Sequence, residues 1–267
     1  MIEVQSVSKN FGGVLAVNNA SISIAKGTIT GLIGPNGAGK TTLFNIIAGN
    51  INPSSGKILL DGDDVTGLAP HELFEKGLLR TFQLAHEFSS LTVLENLMMV
   101  PGNQSGESLL NAWLSWGEVK REEAKIRERA MEVIDFLNLS HLAQELAGNL
   151  SGGQKKLVEL GRTMMVDAKV VLLDEVGAGV NRSLLREIGD AIVRLNQERG
   201  YTFCMIEHDM DFIGRLCDPV IVMAEGGVLA QGTADEVRND ENVIEAYLGR
   251  GLRNKTPAQT GAQKAAN

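Results

Sequence analysis

The chain has 267 residues, 43% of them hydrophobic, a formal charge of -8 and a pI near 5.1. That length and apolar share suffice for one large domain or two close subdomains with a proper core, and the acidic balance argues against nucleic-acid binding, which needs a basic face. Two isolated cysteines, Cys204 and Cys217, fit neither a disulfide framework nor a CxxC metal pair, which points to core packing and a reducing compartment.

The opening MIEVQSVSKNFGG has no apolar signal core, and no run approaches the ~20 apolar residues of a membrane-spanning helix, so a membrane role is expected to be peripheral. IEVQSVS, AVNNASISI and GTITGLIG alternate and turn as a β-rich segment, followed by short strands in GKILLDGDDV. From His71 the pattern turns helical, and in REEAKIRERAMEVIDFLNL the apolar Ile126, Ala130, Val133, Ile134 and Leu137 recur at three- and four-residue spacing as one buried stripe. After Gln154 strand and helix alternate: KVVLLDE, a helix from Leu184 to Arg194, then YTFCMIE. Such alternation implies a parallel sheet with crossover helices. VIVMAEGGVLAQG reads as a hairpin turning at Glu225-Gly226-Gly227, and residues 251–267 as a flexible polar tail.

The strongest local signal is GLIGPNGAGKTT. Gly34 to Thr41 matches GxxxxGK[ST], directly after an apolar strand and directly before the helical TTLFNIIAG. Glycines let successive backbone N–H groups turn inward, Lys40 reaches terminal phosphates, and the Thr41 hydroxyl can ligate Mg²⁺. Such a loop needs a carboxylate on a neighbouring strand, and LLDEVGAGVN supplies two where an apolar strand surfaces. Asp174 reads as the metal-side acid. Glu175, pointed differently at the strand end, suits a general base acting on water. Ser151-Gly152-Gly153-Gln154 caps another helix and forms a second anion site, which either takes a separate anion or completes a nucleotide site on another copy of the fold.

In order and spacing, GPNGAGKTT, Gln83 in RTFQ, LSGGQ, LLDE and His208 in IEHDM resemble the ATP-binding cassette (ABC) ATPases, nearly to Leu248. The resemblance implies an α/β fold: a P-loop NTPase (RecA-like) core with an N-terminal antiparallel β subdomain and an inserted α-helical subdomain at approximately 84–160, the whole spanning 1–250. It implies ATP held by Asn36, Gly37, Gly39, Lys40, Thr41 and Thr42, with Phe11 stacked on adenine over an apolar floor at Val17. Mg²⁺ would lie at Thr41, Gln83 and Asp174, with Glu175, His208 and Gln83 as the catalytic set. Ser151, Gly152, Gly153 and Gln154 would close on the γ-phosphate held by a second cassette, which accounts for the second anion site.

NFGGVLAVNNASI, GLLRTFQ, LTVLENLMM and NDENVIEAYLG resemble the ATPase subunits of branched-chain amino-acid importers, whose relatives carry other small polar solutes. This implies a peripheral protein on the cytoplasmic face of the inner membrane, with a second cassette and transmembrane permease subunits as partners and, indirectly, a solute-binding protein. The ATPase of lipopolysaccharide export is a further relative by resemblance. A soluble cassette acting on nucleic acid is the competing reading, against which stand the single cassette and the acidic charge. Phe88, Leu91, Val93 and Leu97 read equally as the lining of a groove for a permease helix or as core. Val176 and the GAGVN stretch, with Val176 and Val180 where the family usually has proline and leucine, read as dimer-facing. Trp113 and Trp116 pack locally or face a partner, and His71, His86 and His141 read as solvated or structural.

Overall fold

The computed structural model describes residues 1–81, 88–102, 116–166 and 168–248. The early alternating segments form β1 (Ile2–Phe11) and β2 (Val14–Ile24), joined by a turn at Gly12-Gly13 and paired antiparallel. β3 (Ile29–Ile33) leaves this layer for a second sheet and runs through the phosphate loop into α1 (Lys40–Ile47). β4 (Ser55–Leu60) and β5 (Asp63–Asp64) return to the first sheet, whose order is β2-β1-β4-β5. After α2 (Pro70–Glu75), β6 (Leu78–Arg80) forms the edge of the second sheet, within a stretch read as helical from sequence. Three residues are too few to display a period of two.

The helical stretch contains α3 (Val93–Met98), α4 (Trp116–Phe136) and α5 (Gly152–Met164) among the described residues. The expected stripe is buried: Ala130, Val133, Ile134 and Leu137 share one core with Leu94, Leu97, Leu157 and Leu160, and Ile126 packs at its margin. β7 (Val170–Asp174) leads to α6 (Arg182–Arg199), longer at both ends than its apolar period suggests. Asn181 Oδ1 caps its start through the Leu184 N–H at 3.0 Å, and Gly200 ends it at φ 70°. Then follow β8 (Thr202–Ile206), α7 (Met210–Leu216), β9 (Val220–Ala224), β10 (Gly227–Gly232), α8 (Ala234–Asn239) and α9 (Glu241–Leu248). The β9–β10 hairpin turns on Glu225 and Gly226, both at positive φ, with Ala224 opposite Gly227.

The second sheet has the order β10-β9-β3-β8-β7-β6 and is parallel except for β10. Its central strands β3, β7 and β8 are buried along their whole length, as expected for a parallel sheet covered on both faces. Alternation divides their side chains between two cores. Leu172, Cys204, Ile206 and Met223 face α1 and the antiparallel sheet, whereas Leu173, Phe203, Met205 and Val222 face the helices. Cys204 and Cys217 are both buried free thiols, and burial pushes the Cys217 thiol up to about 12. Among the described residues no helix is long and apolar enough to cross a membrane.

Candidate functional site

The carboxyl ends of β3, β7 and β8 place the site. Parallel strands expose their termini at one edge, where the following loops converge. After Ile33 the chain turns through Gly34–Gly39 and starts α1 at Lys40, so the first-turn N–H groups of a helix face the loop opening. Gly39 has φ 95°, and a Cβ there would lie 2.3 Å from the Ala16 carbonyl oxygen. Only glycine fits. The hairpin turn braces the loop, with Asn18 N–H donating to Gly226 O at 2.8 Å and Gly226 N–H to Ala38 O at 3.2 Å.

Lys40 is 6% exposed and its Nζ donates to the carbonyls of Gly34 (2.8 Å) and Pro35 (3.1 Å). Burial lowers its pKa below the ordinary lysine value, while Glu175 and Asp174 act in the opposite direction. Asn36 to Thr42 line a cleft of about 340 Å³ together with Val14, Leu15 and Ala16, and Glu175 and His208 complete its wall. That volume is at the lower end of small-ligand sites.

The two acids diverge because their backbones do. Asp174 ends β7 in extended conformation and is 6% exposed, its Oδ2 accepting from Arg80 Nη2 at 2.7 Å. Glu175 takes φ 49°, a left-handed conformation that costs a non-glycine residue ~1 kcal/mol or more. Its N–H donates to Ile206 O at 3.0 Å, which fixes the turn onto β8, and its Oε1 lies 3.1 Å from His208 Nε2. One side chain is locked under the sheet edge and its neighbour is turned into the cleft. This arrangement can hold a phosphate chain and aim a carboxylate at water beside it.

The family model described as ABC transporter matches residues 17–178. The chain belongs to the ABC transporter family. A second model, the branched-chain amino acid ATP-binding cassette transporter, matches residues 228–252. The cassette is 40% identical over 252 residues to a probable branched-chain amino acid transport ATP-binding protein, LivG, of Archaeoglobus fulgidus, covering 93% of this chain and 95% of the relative. It is 35% identical to the high-affinity branched-chain amino acid transport ATP-binding protein BraF of Pseudomonas aeruginosa, covering 93% and 98%. Among solved structures, an ATP-binding cassette of an ABC transporter in its ADP conformation superposes with a TM-score of 0.80 at 37% identity, covering 93% of this chain and 98% of the other. The cassette is therefore an ATP-hydrolysing subunit with the P-loop α/β fold expected from its motifs.

Several residues of the ABC cassette sit differently from what their sequence pattern suggests. Val17 is 0% exposed, packed between the antiparallel sheet and α1, so it offers no floor to a base. The strand period turns it inward, and the apolar wall of the cleft comes from Val14, Leu15 and Ala16. Phe11 is 47% exposed outside that wall, with Lys9 Nζ 5.1 Å from its ring centroid. Val176 is 6% exposed and joins the helical-face core, so its side chain is not dimer-facing; Ala178 and Gly179 are the exposed residues of that loop. Val93 and Leu97 are core at 0% exposed, whereas Phe88 is 47% exposed on a groove.

Ser151 and Gln154 satisfy each other as a capping box, Ser151 N–H to Gln154 Oε1 at 2.9 Å and Gln154 N–H to Ser151 Oγ at 3.4 Å. They and Gly152 are not among the residues lining the phosphate-loop cleft. Gly153 is buried under Leu184, where a Cβ would meet Leu184 Cδ2 at 2.0 Å. Gln83, His86 and Trp113 lie outside the described residues, as does the tail from 249 onward. Arg80, Asn45 and Glu207 are close partners of the site that its motifs do not single out, although GLLRTFQ and IEHDM contain two of them.

Proposed function

We propose that the chain energises the uptake of branched-chain amino acids or a related small polar solute, as a peripheral subunit on the cytoplasmic face of the membrane. The observation that carries the chemistry is the single cleft in which the phosphate loop meets the Glu175–His208 pair at 3.1 Å. The resemblance to named branched-chain transport subunits and the matched 228–252 segment support the solute class.

ATP lays its phosphates along the N–H groups of residues 36–42, and Lys40 exchanges its loop carbonyls for phosphate oxygens. The charge brought by phosphate offsets the burial that disfavours the Lys40 ammonium. Arg80 and Asn45 form a bonded chain that runs from the Asp174 carboxylate to the backbone carbonyl of Thr41. Were Mg²⁺ bound, the Thr41 hydroxyl and the Asp174 carboxylate would hold it, hard oxygen donors of the type it takes beside a phosphate site. When bound there, the ion neutralises charge developing on the phosphate oxygens. Glu175 accepts the proton of the attacking water, and His208, anchored by its bond to Glu175, contacts the γ-phosphate. By its resemblance Gln83 would contact the metal and the attacking water and link the core to the helical subdomain.

Ser151 to Gln154 form a helix N-terminus outside this chain's own cleft, so they serve the nucleotide of a second cassette. The groove bearing Phe88 seats a permease helix, and a solute-binding protein delivers cargo to the permease.

Glu175→Gln is expected to bind ATP as the wild type does and to turn over at least ~10²-fold more slowly, the range for loss of a general base. ATPase assays with parallel nucleotide titration check it. Normal turnover in that variant sinks the assignment of Glu175.

A further inference from the structure

The acid at the end of β7 has a built-in counterion. Arg80 closes β6, and the side chains of Arg80 and Asp174 are 10% and 8% exposed at their 2.7 Å contact. The other guanidinium arm, Nη1, donates to Asn45 Oδ1 at 2.5 Å, and Asn45 Nδ2 in turn donates to the Thr41 carbonyl at 2.8 Å. One chain of bonds therefore runs from Asp174 to the residue that carries the other oxygen donor. Arg80 Nε is buried with no hydrogen-bond partner, a cost the fold bears to keep this cation in place. Stability alone is a weak reason for that cost, because apolar residues of similar volume often replace a buried ion pair without loss.

We propose that Arg80 is a positioning residue that aims Asp174 and stands in for a divalent cation there, so that nucleotide can enter the cleft with or without metal. This rests on reading Asp174 as the metal-side acid. Two carboxylates, Asp174 and Glu175, lie close enough to bias the Lys40 ammonium, and the incoming phosphates are themselves anionic. With its partner removed, Asp174 presents an uncompensated negative charge to metal-free nucleotide. Nucleotide that arrives with Mg²⁺ brings its own compensation. The loss therefore falls on the metal-free form.

The test measures ADP affinity of the full chain by calorimetry, in EDTA and in excess Mg²⁺; ADP avoids turnover. Arg80→Met is expected to weaken binding about tenfold in EDTA and by less than about twofold in Mg²⁺, an ion-pair-sized change confined to one condition. Arg80→Lys keeps the charge and should restore the ratio of the two affinities to near the wild-type value. Equal weakening in both conditions, or an unchanged ratio in Arg80→Met, would show Arg80 to be a structural pair only and overturns the proposal.

Should Arg80→Met fail to fold, the double variant Arg80→Met/Asp174→Asn removes both buried charges. It is expected to bind metal-free ADP within about twofold of the wild type, and a tenfold loss there counts against the placeholder role. A wild-type chain that bound ADP in neither condition would instead defeat the nucleotide-site reading on which the proposal stands.

Discussion

Glu207 shows how one buried carboxylate can set the geometry of two site residues. It is 5% exposed, and its oxygens accept the backbone N–H of Gly177 at 2.7 Å and of His208 at 3.3 Å. It thereby joins the loop after Glu175 to the end of β8, so the bases of Glu175 and His208 cannot drift apart. Burial pushes its pKa above the usual carboxylate value, with the two backbone bonds pulling partly back. A raised folded-state pKa contributes stability below the unfolded value of about 4.5, and that contribution is lost as pH rises through the folded value. Glu207→Gln carries no such charge. Its melting temperature, measured against the wild type, is therefore expected to improve as pH rises from about 4.5 to the raised folded value and to level off above it, because every tenfold difference in proton affinity between the folded and unfolded chain is worth ~1.4 kcal/mol. A difference between the two proteins that stays flat from pH 4 to 8 would show that the charged form is fully satisfied where it lies.

At the scale of elements, the junction of α5 and α6 is the tightest place near the site. Gly153 lies in the first turn of α5, and a Cβ there would sit 2.0 Å from Leu184 Cδ2 and 3.2 Å from Val180 Cγ1. Gly153→Ala must push α6 away and is expected to cost ~1–3 kcal/mol by overpacking, read from denaturant unfolding. Leu184→Ala should remove much of that cost in the double variant; strict additivity in a double-mutant cycle would refute the contact as its source. The sequence showed this helix start through its SxxQ cap but not its packing, because Leu184 is far along the chain, beyond a whole strand. What was legible had two causes: β3, β7 and β8 are apolar runs because both faces of the sheet are covered, and the phosphate loop is local. β6, α7 and α8 are three to seven residues long, too short for a period, although Asp209 and Thr233 cap their helices in recognisable fashion. Val17 and Val176 were misplaced because facing depends on register, and a one-residue difference along a strand or turn reverses it.

Across the whole molecule, the two cores leave a groove of about 430 Å³ where β6 and α2 meet α5, bordered by Phe74, Leu79, Arg80, Phe88, Val100 and Arg162. Phe74 and Phe88 are 42% and 47% exposed, and the Arg162 guanidinium lies 5.8 Å from the Phe88 ring centroid. Exposed aromatic rings beside arginine are the composition of an interface anchor. The Phe88 backbone is held independently of its ring: its N–H donates to Asn96 Oδ1 at 2.9 Å, and Asn96 Nδ2 donates back to its carbonyl at 3.1 Å. Asn96 is itself 0% exposed, so Phe88→Ala removes the ring and leaves the loop standing. If a permease helix seats in this groove, truncation removes an anchor worth ~2 kcal/mol or more, about thirtyfold in affinity. The isolated Phe88→Ala chain is then expected to hydrolyse ATP at the wild-type rate yet to co-purify poorly with hydrophobic subunits from solubilised membranes. Unchanged recovery of those subunits would move the docking surface elsewhere. Loss of hydrolysis in the isolated chain would instead mean that the ring supports the ATPase itself, and that groove and cleft are one mechanical unit even without a partner.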